Sequence, residues 1–353
     1  MRSSRPFHVL AGLLALGVAT TGLAGCGSSS GSTDSHTIVV ATHDSWAMPK
    51  QVIADFEKQS GYTVKIEEQG DAGELTNKLV LTKDSPIADA VYGIDNTFAS
   101  RAVDAGVLDP YTPKSLPASA KRYLLPGSGA HDLTPVDYGD VCVNVDDVWF
   151  RQHHLAEPRT LDDLTKPAYK NLFVTPAATT SSPGLAFLAA TIAAKGDHWQ
   201  SYWKALLANG TKIDSGWDQA WNADYTAGGG KGTRPIVLSY SSSPPDTIPK
   251  GATRPTTSAL LDTCFRQVEY AGVVRGADNP RGARAFVDFM LSRPAQRSMP
   301  ESMYVYPVDK SVPLPAQWAK WATVSPKPWV ISPSEITQKR AQWLREWRDL
   351  VSG

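Results

Sequence analysis

The chain has 353 residues, with 35 basic and 35 acidic side chains. That balance leaves no basic footprint for nucleic acid, and the length suffices for a large apolar core. The 3 cysteines include no CxxC pair, which argues against a thiolate metal site, and His153-His154, the one adjacent histidine pair, diverges on a helix and reads as solvated.

In chain order, Arg2 and Arg5 precede an apolar run from Phe7 to Leu23 that ends in Leu23-Ala24-Gly25-Cys26. The charged start, short apolar stretch and small residues read as a signal peptide over 1–25, with cleavage before Cys26 and lipid on its sulfur. Without Arg2 and Arg5, 33 basic face 35 acidic residues. Gly27-Ser28-Ser29-Ser30-Gly31-Ser32 cannot pack a core, so 26–36 is expected to be a lipidated, flexible tether. The remainder shows no second apolar stretch of membrane-spanning length. The location implied is the outer face of the cytoplasmic membrane.

From Thr37 the pattern alternates. Thr37 to Thr42 suits a buried parallel strand and Pro49 to Gln59 an amphipathic helix. Tyr62 to Glu67 is a strand, Leu75 to Thr82 a helix, and Ala88 to Gly93 a strand closing on Asp95-Asn96. A second unit begins near residue 140 with a strand at Val141 to Val145, a capped helix starting at Thr160 to Leu164, and a strand at Leu172 to Thr175. That strand feeds Thr179-Thr180-Ser181-Ser182-Pro183-Gly184 and a long apolar helix. Ile236 to Tyr240 is a strand, with Gly228-Gly229-Gly230 marking a loop before it. Gln267 to Val274 is extended, Asn279 to Leu291 a helix capped by Asn279 with Pro280 in its first turn, and the last 20 residues a helix with Ile336, Trp343, Leu344, Trp347 and Leu350 on a packing stripe. Alternation of this kind is α/β with a parallel sheet. Two such units, exported and tethered, suggest a clamp that closes on a solute outside the strand ends.

Several stretches carry a family likeness: Asp44-Ser45-Trp46, Gly93-Ile94-Asp95-Asn96, Asp137-Tyr138-Gly139, Thr180-Ser181-Ser182-Pro183-Gly184-Leu185, Gly216-Trp217-Asp218-Gln219-Ala220-Trp221, Leu238-Ser239-Tyr240-Ser241-Ser242-Ser243-Pro244, Gln267-Val268-Glu269 and Tyr306-Pro307-Val308. The chain resembles the periplasmic thiamine-binding proteins, and departs from their pattern at His43, Asp246 and Tyr304. The resemblance implies a two-lobed, type II periplasmic-binding-protein-like fold with a ligand cleft between the lobes. Residues 37–136 plus 268–330 are expected to form the first lobe and 137–267 plus 331–353 the second. It further implies a monomer that binds thiamine or a thiamine phosphate and serves an ABC permease, with neither cofactor nor metal.

A thiazolium cation calls for aromatic faces and a carboxylate, and a phosphate for an anion seat. His43, Trp217, Tyr240 and Tyr304 are the expected faces, Asp44, Asp71 and Asp95 the carboxylates, and Ser241 a neighbouring polar contact. Thr180, Ser181 and Ser182 precede a helix whose free N–H groups suit phosphate, although one of these residues is needed to cap that helix. In such clamps the crossing segments near Pro135 to Gly139 and Arg266 to Tyr270 lie side by side, which puts Cys142 beside Cys264 and implies a disulfide. The competing classes are receptors for polyamines, phosphonates or ferric ion, and a secreted hydrolase. No adjacent Tyr-Tyr pair favours ferric ion, and no HExxH or GxxxxGK[ST] favours an enzyme.

Overall fold

The computed structural model describes residues 36–353; the expected leader, Cys26 and all but the end of the tether lie outside them. The uninterrupted apolar run β1 (Thr37–Thr42) is flanked by two parallel partners, β2 (Thr63–Glu68) and β3 (Ala90–Asp95). At the edge, β2 leaves Thr63 and Lys65 exposed, while every residue of β3 is buried. A short β4 (Leu108–Asp109) precedes the thirteen-residue β5 (Thr134–Asp146). Next come β6 (Phe173–Pro176), β7 (Lys212–Asp214), β8 (Ile236–Tyr240), β9 (Thr257–Ala259), β10 (Phe265–Val274) and β11 (Tyr306–Pro307).

One sheet threads both lobes in the order β2-β1-β3-β10-β5-β8-β6-β7. Its middle is the antiparallel pair β5 and β10, with Glu269 opposite Asp137 and Gln267 opposite Gly139. Where β10 begins, a disulfide joins Cys264 to Cys142 of β5. Helices pack on this frame by apolar contact. Phe286, Val287 and Met290 of helix Pro280–Met290 bury against Ile38, Val40 and Tyr92. The largely apolar helix Ser182–Lys195 is buried over its first ten residues.

Two expectations need adjustment. The strand foreseen at 141–145 is the tail of the longer β5, concealed because Asp137 and Asp140 are buried within it. Asp140 is answered by the Arg266 guanidinium and by Ser325 N (2.7 Å). The helix expected to start at Thr160 is a single 3-10 turn, Asp162–Thr165; Pro167 disfavours helical backbone at Lys166 and stops it. Between β11 and the C-terminal helix, Trp321 Nε1 donates to Thr253 O (3.0 Å) and Trp329 N to Cys264 O (2.7 Å). The C-terminal helix Pro333–Ser352 buries Ile336, Trp343 and Trp347, with Trp347 edge-on to Trp203 at 5.5 Å. Its Arg340 lies 5.6 Å over the Phe98 ring.

Candidate functional site

The loops that follow β1 and β2 face those that follow β7 and β8, so the carboxyl ends of parallel strands converge from both lobes. Between them lies a cleft of about 340 Å³, within the usual range for small-molecule sites. His43, Asp44, Asp71, Ser182, Trp217, Tyr240 and Tyr304 line it. Asp95, Thr180, Ser181 and Ser241 do not, and each has local work. Asp95 accepts from Thr97 N (3.2 Å) and Phe98 N (3.0 Å) in the turn after β3, and burial pushes its carboxyl up to about 7. Thr180 Oγ1 donates to Ser215 O (2.6 Å). Ser181 caps its helix by accepting from Gly184 N (3.4 Å), and Ser241 N donates to Asp140 O (2.8 Å).

Asp71 joins the two lobes. Its carboxylate accepts from Ala72 N (2.6 Å), from Ser182 N (3.1 Å) and from Trp217 N (3.0 Å). The N-terminal amide suited to phosphate therefore meets a carboxylate of the protein itself. Burial pushes the Asp71 carboxyl up, and these donors oppose the shift. Ser45 Oγ to Asp218 (3.0 Å) and Glu74 N to Thr180 O (3.2 Å) are further links across the cleft.

The aromatic wall follows from a serine-rich run. Ser239 Oγ accepts from Trp217 Nε1 (2.9 Å) and bonds Ser243 Oγ (2.8 Å), which in turn accepts from Tyr240 N (3.1 Å). Trp217 stacks on Trp221 at 5.7 Å and meets Tyr240 edge-on at 6.5 Å. Tyr240 lies on Gly139 of β5, where an added Cβ would come within 2.9 Å of the ring. Gly93 does the same for the opposite wall: its φ is +102°, and a Cβ there would stand 2.2 Å from His43 Cδ2.

Charge in the cleft is lopsided. Asp44, Asp71, Asp218, Asp246 and Glu269 line it, and no lysine or arginine does. His43 Nε2 stands 3.4 Å from Glu269 Oε1. Burial would lower the imidazole, but the Glu269 carboxylate, helped by Asp71 and Asp44, outweighs it, and His43 stands above its ordinary value. Burial, with Asp71 and Asp218 adding, pushes Asp44 up to about 6. Behind Glu269, Asp137 is driven well above the carboxylate range by burial and by Glu269 itself, while Tyr92 Oη donates to Asp137 (2.7 Å) and Glu269 (3.3 Å). Glu269 is the ionised member, because His43 outweighs the effect of its burial. Among the described residues no group of three or more His, Cys, Asp or Glu is arranged to hold a metal ion.

Sequence reasoning did not single out Glu269, Trp221 or Asp218 as cleft residues. All three sit inside stretches quoted for the family likeness, and Glu269 could have been found from its place on the return crossing.

A thiamine-binding periplasmic protein of Brucella suis is 29% identical over 324 residues, 88% of this chain and 91% of that one. That of Escherichia coli is 27% identical over 321 residues, covering 89% and 93%. Among solved structures, a periplasmic thiamin binding protein superposes with a TM-score of 0.77 at 26% identity, over 90% of this chain and 96% of that one. Iron-bound HitA from Pseudomonas aeruginosa shares the fold at 22% identity and a TM-score of 0.67, over 89% and 99%. The family described as bacterial extracellular solute-binding protein matches residues 51–326, and with a two-lobed α/β frame around an interlobe cleft this chain belongs to it.

Proposed function

We propose that this protein captures thiamine in its interlobe cleft and hands it to the permease of an ABC importer, held at the outer face of the cytoplasmic membrane by lipid on Cys26 and acting as a monomer. The observation that carries the reading is the cleft's composition: aromatic faces from Trp46, Trp217, Tyr240 and Tyr304 beside the ionised Glu269, with no lysine or arginine. A permanent cation leaving water needs both kinds of group in place of its hydration. The Brucella suis and Escherichia coli relatives, both thiamine-binding periplasmic proteins, support the same ligand. A phosphorylated form fits on one condition: Asp71 must yield Ser182 N and Trp217 N to the phosphate.

Calorimetric titration of the purified protein with thiamine, thiamine phosphate and spermidine tests this. Thiamine should bind without being converted and more tightly than spermidine, which offers charge but no ring to stack. Tighter binding of spermidine, or no binding of thiamine, refutes the proposal.

A further inference from the structure

A cleft suited to a cation already contains a base that can carry the same charge. His43 follows β1 and is the one basic group among the residues that line the cavity. It is paired at 3.4 Å with Glu269, and both side chains are about nine-tenths buried. The groups around the imidazole are Glu269 from β10, Asp44 on its own loop, Asp71 from the loop after β2 and the Tyr92 ring from β3, whose centroid is 5.5 Å away. Asp218 reaches in from the second lobe beside Asp44. Asp137 of β5 stands behind Glu269, and burial with the Glu269 charge pushes its carboxyl well up, against ionisation.

A ligand whose positive charge is permanent therefore competes with the imidazolium for one buried carboxylate. Two cations at a single poorly screened anion repel. The thiazolium cannot shed its charge, whereas the imidazolium can, by losing a proton. Gly93 leaves room for the ring and Tyr92 packs beside it at 5.5 Å, and loss of the proton removes the conflict without moving the imidazole.

We propose that His43 is a displaceable counter-ion, so that binding of a permanent cation in this cleft expels the His43 proton to solvent and exchanges one positive charge for another. This rests on the reading of the ligand as thiamine. Where His43 is charged in the free protein, its raised pKa makes the proton a competitor, and affinity falls as the medium is acidified; once His43 is neutral, affinity no longer depends on it. A cation in acidic surroundings is then held less tightly than in neutral ones.

The test is calorimetry with thiamine from about pH 5.5 to about pH 8.5 in pairs of buffers of different ionisation enthalpy, which counts protons directly. The expected result is release approaching one proton per thiamine at the acid end, with affinity falling up to about tenfold per pH unit there and levelling above. His43→Gln should abolish the release and flatten the slope, whatever its effect on the affinity at any one pH. Asp44→Asn, which removes a second cleft group that titrates nearby, should keep the release and the slope, whatever its own effect on affinity. Binding without proton release overturns the inference and leaves the thiamine reading standing. Release that survives His43→Gln but disappears in Asp44→Asn also overturns it, by assigning the proton to Asp44. Absence of thiamine binding at every pH refutes the ligand reading and takes this inference with it. If His43→Gln does not fold, the native protein and Asp44→Asn decide alone, because a native slope that Asp44→Asn abolishes refutes the proposal.

Discussion

Tyr240→Ala is the most informative single change to the proposed cleft. The ring stands at the end of β8, half-buried, edge-on to Trp217 at 6.5 Å and resting on Gly139. Its hydroxyl reaches Gln267 Oε1 at a weak 3.3 Å. As a face for a cation the ring is worth ~0.5–2 kcal/mol, and its packing against Trp217 adds ~0.5–1.5 kcal/mol to the order of the wall. Truncation should therefore cost about 1 to 3 kcal/mol of thiamine binding, a roughly 5-fold to 150-fold loss. Tyr240→Phe, which gives up one long hydrogen bond, should stay within about threefold of the native affinity. Gly139→Ala, which pushes the ring from its seat without removing it, should move affinity in the same direction as Tyr240→Ala. Titration calorimetry with a thermal melt of each variant separates binding from folding. If folded Tyr240→Ala binds thiamine as the native protein does, the ring is a packing residue and the ligand lies elsewhere.

Asp71→Asn replaces one of its oxygens with an amide that faces N–H donors, so the links to Ser182 and Trp217 should weaken by ~1–3 kcal/mol. The ratio of the Kd for thiamine phosphate to that for thiamine should fall; an unchanged ratio excludes these amides as the phosphate seat. Replacing Cys142 and Cys264 together by serine removes a bridge across a separation of 122 residues and should lower stability by ~2–5 kcal/mol, read as a lower denaturant midpoint with a steeper slope, because the uncrosslinked unfolded chain exposes more surface. Cys26→Ser should release folded protein from membranes, and unchanged partitioning with the membrane fraction refutes lipidation there.

Much of the fold was legible because apolar periodicity is a local property. β1, β3, β8 and the C-terminal helix declare themselves in runs such as Thr37 to Thr42, or in a stripe such as Trp343 and Trp347. β5 was only partly legible because its first half buries Asp137 and Asp140, and burial of a charge depends on partners about 126 residues away in sequence, as Arg266 is from Asp140. The site divides along the same line. Trp217 and Tyr240 are conspicuous by type and context. The pairing of Glu269 with His43 appears only when β10 is laid beside β3, and the attachment of Asp71 to Ser182 only when the two lobes meet. Ser181 could be foreseen as a cap; that Asp71 would occupy the neighbouring amide could not.

The seat of Tyr240 on Gly139 has a mechanical consequence. Gly139 belongs to the strand by which the chain passes from one lobe to the other, and Tyr240 belongs to the wall that is to meet the ligand. Strand and ring meet closely, with no side chain at Gly139 to cushion them. On the proposed reading of the cleft, a twist of the strand is felt at the wall, and a push on the ring bears on the strand. Bulk added at position 139 would then act as a wedge, disturbing the ring and the strand beneath it by the same stroke.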